Sequence, residues 1–295
     1  MAKKVSTREL GLILGARLMK TEDLHYGYWP EGLEVTMANM ATAQANYSEF
    51  LAGHIPEGVK SILDVGVGTG HFAQVLTRRG YQVEGISPSP MLTEMAVKRM
   101  GENFRIYQTT FENFNAERKY DLILFSESFQ YIPFQESLPK ALSWVEIGGY
   151  VLISDFFRIH QAAGESALRG GHDLEQFQNY LKTLSCRVLT DEDITRFTAP
   201  NLKLIDEWLT DYFKPIWEIV GYYMVNNRPW LSWMARKVFG RKLRKIEFKY
   251  LSRARNEENF IRHKSYRCLL LQRISLLFLL YVPSLVSDSF GLPVF

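Results

Sequence analysis

The sequence predicts an α/β protein, a mostly parallel sheet with helices on both faces. Three observations carry this. From residue 60 onward, apolar strand-like runs alternate with helical periodicity, the pattern of parallel strands joined by helical crossovers. The run "YDLILFS" (120–126) is apolar almost throughout, as befits a central strand buried on both faces. The first strand, "KSILDV" (60–65), ends in "GVGTG", a glycine-rich turn into a helix.

The elements follow in order. After "KSILDV" a helix covers "HFAQVLTRRG", and "YQVEGIS" forms the second strand. Strand alternation puts Val83, Gly85 and Ser87 on one side, Glu84 and Ile86 on the other. A helix from Pro90 to about Met100 leads to a third strand, "FRIYQ" (104–108), and then to the fourth, "YDLILFS". Gly148-Gly149 turns the chain into a fifth strand, "YVLISDFF" (150–157). A helix from Asp173 to Leu184 precedes "CRVLT" (186–190), and "SYRCLLLQR" (265–273) returns late to close the sheet. The stretch 191–260 interrupts this rhythm with helical, aromatic-rich sequence and reads as a cap. The resulting division is 1–59, an N-terminal helical and aromatic cap; 60–190, the core; 191–260, a cap insertion; and 261–295, a last strand with an apolar tail.

Composition narrows the function classes. A net charge of +3 over 295 residues gives no global basic field, so nucleic acid is not expected as a partner. The two cysteines, Cys186 and Cys268, show no metal-ligand spacing, no metal site is expected, and a reduced cytosolic compartment fits. The N-terminal apolar patch, with Leu10, Ile13, Leu14 and Leu18 at helical spacing, is too short and too charged for a signal peptide. The tail "LLLQRISLLFLLYVPSLV" (269–286), broken by Gln272, Arg273 and Pro283, falls short of the roughly 20 apolar residues of a bilayer span. A membrane-surface or dimer contact remains open for it.

The strongest chemical signal is "ILDVGVGTGHF" (62–72). Its glycines let the backbone pass close to a bound group, and the next helix offers free N–H donors. The spacing differs from the dinucleotide fingerprint, and Asp64 just before the turn suits a cationic ligand better than a pyrophosphate. Together with "GISPSPML", "YDLILFSESFQYI" and "GGYVLISDF", this region, 60–155, resembles class I S-adenosylmethionine-dependent methyltransferases. "LHYGYW" (24–29) also resembles the aromatic segment of small-molecule members of that family, such as the tocopherol and sarcosine types. The resemblance implies a Rossmann-like fold with a seven-stranded sheet, S-adenosylmethionine as methyl donor and S-adenosylhomocysteine as product.

Carried over by position, the resemblance gives Gly66, Gly68 and Gly70 the methionine and ribose side of the donor, with Asp64 on its ammonium, directly or through water. Ser87 takes the ribose position, Thr110 and Phe111 the adenine position, and Ser126 the floor beneath the sulfonium. Acids usual at 87 and 110 are missing here. A neutral hydroxyl partner contributes roughly 0.5–1.5 kcal/mol against about 1.5–3 for a charged one, so Tyr26 or Tyr28 is expected to assist. On the acceptor side stand Tyr28, Glu127, Gln130, Tyr131, Phe156 and Arg158. An amine acceptor needs little beyond orientation, whereas a hydroxyl needs a general base. The candidates for catalytic work are His160, His172, Glu127, Tyr131 and Asp155.

The expected acceptor is small and hydrophobic, methylated on nitrogen or oxygen. The alternative is a lipid or lipid-like head group met at a membrane surface. That alternative draws on 228–255, where nine basic residues face one acid between Arg236 and Arg255 and two tryptophans lead the run. The same run also reads as a solvated helix face or a macromolecule contact. A cofactor-binding protein without catalysis is the reading outside the enzyme class.

Overall fold

A computed structural model describes residues 21, 23–101, 103–159, 168, 170–251 and 253–275, with 242–251 as backbone. The expected N-terminal helix, His160 and most of the apolar tail lie outside these residues. Within them, α1 (Met40–Gly53) leads to β1 (Ser61–Val65), α2 (His71–Arg78), β2 (Gln82–Ile86), α3 (Pro90–Met100), β3 (Ile106–Tyr107) and β4 (Tyr120–Ser126). Then come α4 (Phe134–Ser143), β5 (Val145–Arg158), α5 (Leu174–Leu181) and β6 (Cys186–Asp193). Five helices follow: α6 (Thr195–Thr198), α7 (Pro200–Trp208), α8 (Lys214–Asn227), α9 (Pro229–Leu251) and α10 (Glu257–His263). A π-helical turn, Leu209–Phe213, joins α7 to α8, and β7 (Lys264–Arg273) ends the described chain.

The sheet has seven strands in the order β3-β2-β1-β4-β5-β7-β6, parallel except for β7, which runs against both β5 and β6. Alternation along β4 shows why the sheet needs cover on two sides. Ile123 and Phe125 enter one apolar cluster with Phe129, Leu138 and Trp144. Leu122 and Leu124 enter another with Tyr47, Leu51, Phe72 and Leu202. Ser89 begins α3 as its N-cap, accepting from Leu92 N–H at 3.0 Å, with Pro90 at the first helical position.

Among the strands, three boundaries differ most from the sequence expectation. The third strand shrinks to Ile106–Tyr107, because only these residues pair with Gly85 and Ile86 of β2. The fifth begins earlier, at Val145, which pairs with Tyr120 before an irregularity lets Tyr150 pair with Leu122. The sixth runs on to Asp193, whose carboxylate is fixed by Thr195, Ser265 and Arg267.

Candidate active site

The carboxyl ends of β1, β2 and β4 open onto a cavity of about 480 Å³, the position where open α/β sheets bind ligands. The glycine turn forms one wall. Gly66 N–H and Val67 N–H both donate to Ile86 O, at 2.8 and 3.2 Å, which draws the turn against β2. Gly66 sits at φ +84°, and a Cβ there would lie 2.5 Å from that of Ser128. The Ser128 hydroxyl in turn donates to Val65 O. Gly70, the N-cap of α2 at φ +79°, allows α3 to approach so closely that a Cβ would meet Ala96 Cα at 3.0 Å. Only glycine satisfies both the backbone angle and the space at these positions.

Asp64 borders this cavity although it is 3% exposed. Among the described residues none donates a hydrogen bond to its carboxylate. Burial pushes it up to about 7, with His25 pulling the other way. A buried carboxylate without a partner is costly, and a ligand cation would supply the missing compensation. Ser87 borders the cavity too, its Oγ accepting Ser89 N–H at 3.3 Å.

A second acid, the half-buried Glu127, stands at the end of β4 in a left-handed conformation, φ +53°. Left-handed backbone is unfavourable for a residue with a Cβ and marks a position held by its surroundings. Here Glu127 N–H donates to Ser154 O at 2.8 Å. Its Oε1 accepts Tyr26 N–H at 2.7 Å and the Tyr266 hydroxyl at 2.8 Å. The Tyr47 hydroxyl lies 3.0 Å from that of Tyr266 and donates to Ser154 Oγ at 2.8 Å. Burial raises the Glu127 carboxyl above its ordinary range, against His25 and these two donors.

The segment before β1 closes the site with groups that sequence reasoning did not single out. Gln44 of α1 donates to Asp23 O and His25 O, at 3.3 and 2.7 Å. Asp23 then sits between two rings, 3.3 Å from His25 Nε2 and 2.7 Å from His71 Nδ1. Burial alone would raise Asp23, but the two histidines hold it well below the usual carboxylate range. Burial likewise opposes charge on His25, yet Asp23, Glu127 and the contact with Tyr26 O raise it above 6.5. Asp23 and Glu127 thus favour the charged form of the imidazole, whereas burial opposes it.

Of the residues expected from sequence, Asp64, Gly66, Gly68, Ser87, Ser126, Glu127 and Tyr131 border the cavity, and Gly70 lies directly behind it. The others are placed elsewhere. Tyr26 packs its ring against Phe156, Phe260 and Tyr266 and reaches Glu127 through its backbone. Tyr28 is stacked between Phe50 and Phe197, at 4.8 and 4.7 Å. From "LHYGYW" it is Leu24 and His25 that border the cavity. Thr110 is exposed, and the ring of Phe111 is drawn into the core against Trp144 and Phe125 at 5.0 and 5.4 Å.

His172 donates through Nε2 to Phe129 O at 3.0 Å, edge-on to Phe129 and Phe134, so this ring props the turn after β4. Asp155 accepts from Gln130 N–H, Gln130 Nε2 and Phe156 N–H at 2.9, 3.1 and 2.8 Å. Burial pushes its carboxyl to about 8 against those donors, and neither Asp155 nor Gln130 borders the cavity. Arg158 is exposed, donating to Gly171 O at 3.0 Å. Asp173 is the N-cap of α5, accepting Gln176 N–H at 2.9 Å.

Comparison with known proteins bears on the family and the fold. A family model described as "Methyltransferase domain" matches residues 39–207. A malonyl-[acyl-carrier protein] O-methyltransferase of Ilyobacter polytropus is 28% identical over 178 residues, 58% of this chain and 63% of that protein. The chain therefore spans somewhat under two thirds of the length of the curated relatives it matches. Among solved structures, a putative sarcosine dimethylglycine methyltransferase from Galdieria sulphuraria superposes with a TM-score of 0.65 at 16% identity, over 89% of this chain and 97% of that one. A geranyl diphosphate C-methyltransferase from Streptomyces coelicolor gives 0.61 at 13%, over 88% and 92%. At such identities these two structures speak for the fold alone.

Proposed function

We propose that this chain, which belongs to the methyltransferase domain family, transfers the methyl group of S-adenosylmethionine to a nitrogen or oxygen of a small, apolar acceptor. The observation that carries this is Asp64: a buried carboxylate, without a hydrogen-bond donor among the described residues, beside a turn whose glycines leave no room for side chains. That arrangement fits an amino acid ammonium group, and the family resemblance of the sequence had placed one there.

The donor, when bound, supplies an electrophilic methyl group on its sulfonium for in-line displacement. The chain's own residues do the rest. Asp64 holds the ammonium, Gly66 and Gly68 leave the backbone open to close approach, and Ser87 offers the ribose a neutral hydroxyl. Leu24 and His25 cover the cavity and exclude water, which strengthens each electrostatic contact inside. Tyr131 orients the acceptor at the rim. Glu127 is the proton acceptor: its Oε1 is taken by Tyr26 and Tyr266, leaving Oε2 for the acceptor's O–H or N–H. A carboxyl raised by burial suits that task near neutral pH.

Glu127→Gln keeps an acceptor atom for both Oε1 bonds and removes the base. We expect kcat to fall by about 100-fold or more with donor affinity unchanged. Incubation with isotopically labelled donor and a metabolite extract, read by mass spectrometry, would identify the acceptor. Calorimetry showing no donor binding at millimolar concentration would overturn the proposed function.

A further inference from the structure

Between α7 and α10 the chain leaves the body as a helical hairpin, α8 and α9, packed on itself and on the π-helical turn at its base. α8 buries none of its residues. Yet "KPIWEIVGYYMVNN" is apolar around most of its circumference, and Ile219 and Tyr222 are 68% and 75% exposed. On α9, Trp230 and Trp233 are 63% and 64% exposed. A helix apolar all round is stable only where something covers it, and an exposed patch of this kind marks a partner surface.

Charge identifies what covers it. α9 carries seven Lys and Arg residues and one acid, Glu247, and Arg228, Arg253 and Arg255 flank it. The whole chain has a net charge of only +3, so its positive excess is gathered on this one element. Order along the helix matters as well: Trp230 and Trp233 come first, and the basic residues follow from Arg236 onward. Lys237 lies over the ring of Trp233, 4.8 Å from its centre, so cation and aromatic share one face. A protein core would leave such charge unpaired. The interface of an anionic bilayer accommodates both, with indole rings at head-group depth and lysines and arginines against lipid phosphates. No helix among the described residues is long and apolar enough to cross a membrane, which leaves lying on the surface as the mode of contact.

We infer that the hairpin, residues 209–251, docks the protein on an anionic membrane surface through α8 and the first half of α9, with Arg236, Lys237 and Arg241 against the head groups. Docking is independent of the acceptor chemistry proposed above.

The test uses the full chain and vesicles of phosphatidylcholine with or without phosphatidylglycerol. Flotation with the anionic vesicles alone, reversed by high salt and accompanied by a blue shift of tryptophan emission, is expected. The combined variant R236E/K237E/R241E should bind these vesicles about 100-fold more weakly. The variant W230S/W233S should lose most of the emission shift, Trp217 of α8 supplying the remainder. Thermal melts monitored by circular dichroism should match the parent for both variants, which separates docking from folding. Equal binding to neutral vesicles, or no binding to either kind, would overturn the inference. So would a dimer in sedimentation velocity that the tryptophan substitutions dissolve, since the hairpin would then be covered by a second copy.

Discussion

Asp64 and Glu84 lie on adjacent strands one register step apart: Leu63 of β1 pairs with Glu84 of β2, and Asp64 with Gly85. Both carboxylates are buried, and their surroundings are opposite. Glu84 is enclosed by donors, with the hydroxyls of Tyr120 and Tyr107 at 2.6 and 3.0 Å and the guanidinium groups of Arg118 and Arg105 at 2.8 and 3.2 Å. Burial would raise it, but these partners hold it below its ordinary value. Asp64 has no donor among the described residues and is pushed up to about 7. A charge with its partners built in holds a fold together, whereas one without donors gains most from a cation that comes to it. Neighbouring positions of one strand pair thus give two carboxylates opposite surroundings.

That contrast can be broken from either end. The largest effect is expected at Glu84: Glu84→Ala leaves the buried Tyr120 hydroxyl without its acceptor and should cost about 2–3 kcal/mol in urea denaturation. Donor affinity of the folded fraction should hold. Asp64→Asn should show the reverse, with a donor Kd about 10- to 100-fold weaker by calorimetry. Its effect on stability follows from the sign of the shift. A carboxyl raised by folding costs stability as pH rises above its unfolded value, and the cost levels off above about 7. At alkaline pH the Asn variant should therefore be at least as stable as the parent.

The same shift predicts a pH dependence of donor binding. Asp64 must be ionised to hold an ammonium, so affinity should rise about tenfold between about pH 5.5 and 6.5, a slope that Asp64→Asn abolishes. The smallest effect belongs to Ser87→Asp. A carboxylate there would face both the ribose position and the N-terminus of α3, and a few-fold tightening of the donor is expected, about 0.3–1 kcal/mol. A large loss of affinity would show that the end of β2 is used in another way.

Legibility in the sequence followed distance along the chain. β4 and α3 were readable to the residue, because an unbroken apolar run and a Ser-Pro cap are local signals. α1 and α4 gave no comparable signal: α1 buries Ala43, Gln44 and Ser48 beside its larger residues, and α4 contains Pro139. Within the candidate site, Asp64 and the glycines stand next to each other in sequence and were identified together. The Asp23, His25 and His71 cluster assembles across distant positions and left only "LHYGYW" as a trace. That segment is expected from sequence to lie over the site through its tyrosines, whereas in the structure its residues bordering the cavity are Leu24 and His25. Tyr26 and Tyr28 are drawn off by aromatic partners as remote as Tyr266 and Phe197, contacts that no local pattern announces.

Asn201 of α7 deals with Gly27 as a neighbouring strand would. Its side-chain oxygen accepts Gly27 N–H at 2.8 Å, and its amide nitrogen donates to Gly27 O at 2.7 Å. One side chain thereby imitates the paired exchange of an antiparallel ladder, in a place where no strand runs. The cover over the cavity is latched to the very helix from which the hairpin departs. Moving Gly27 away from α7 would break both of these buried bonds at once.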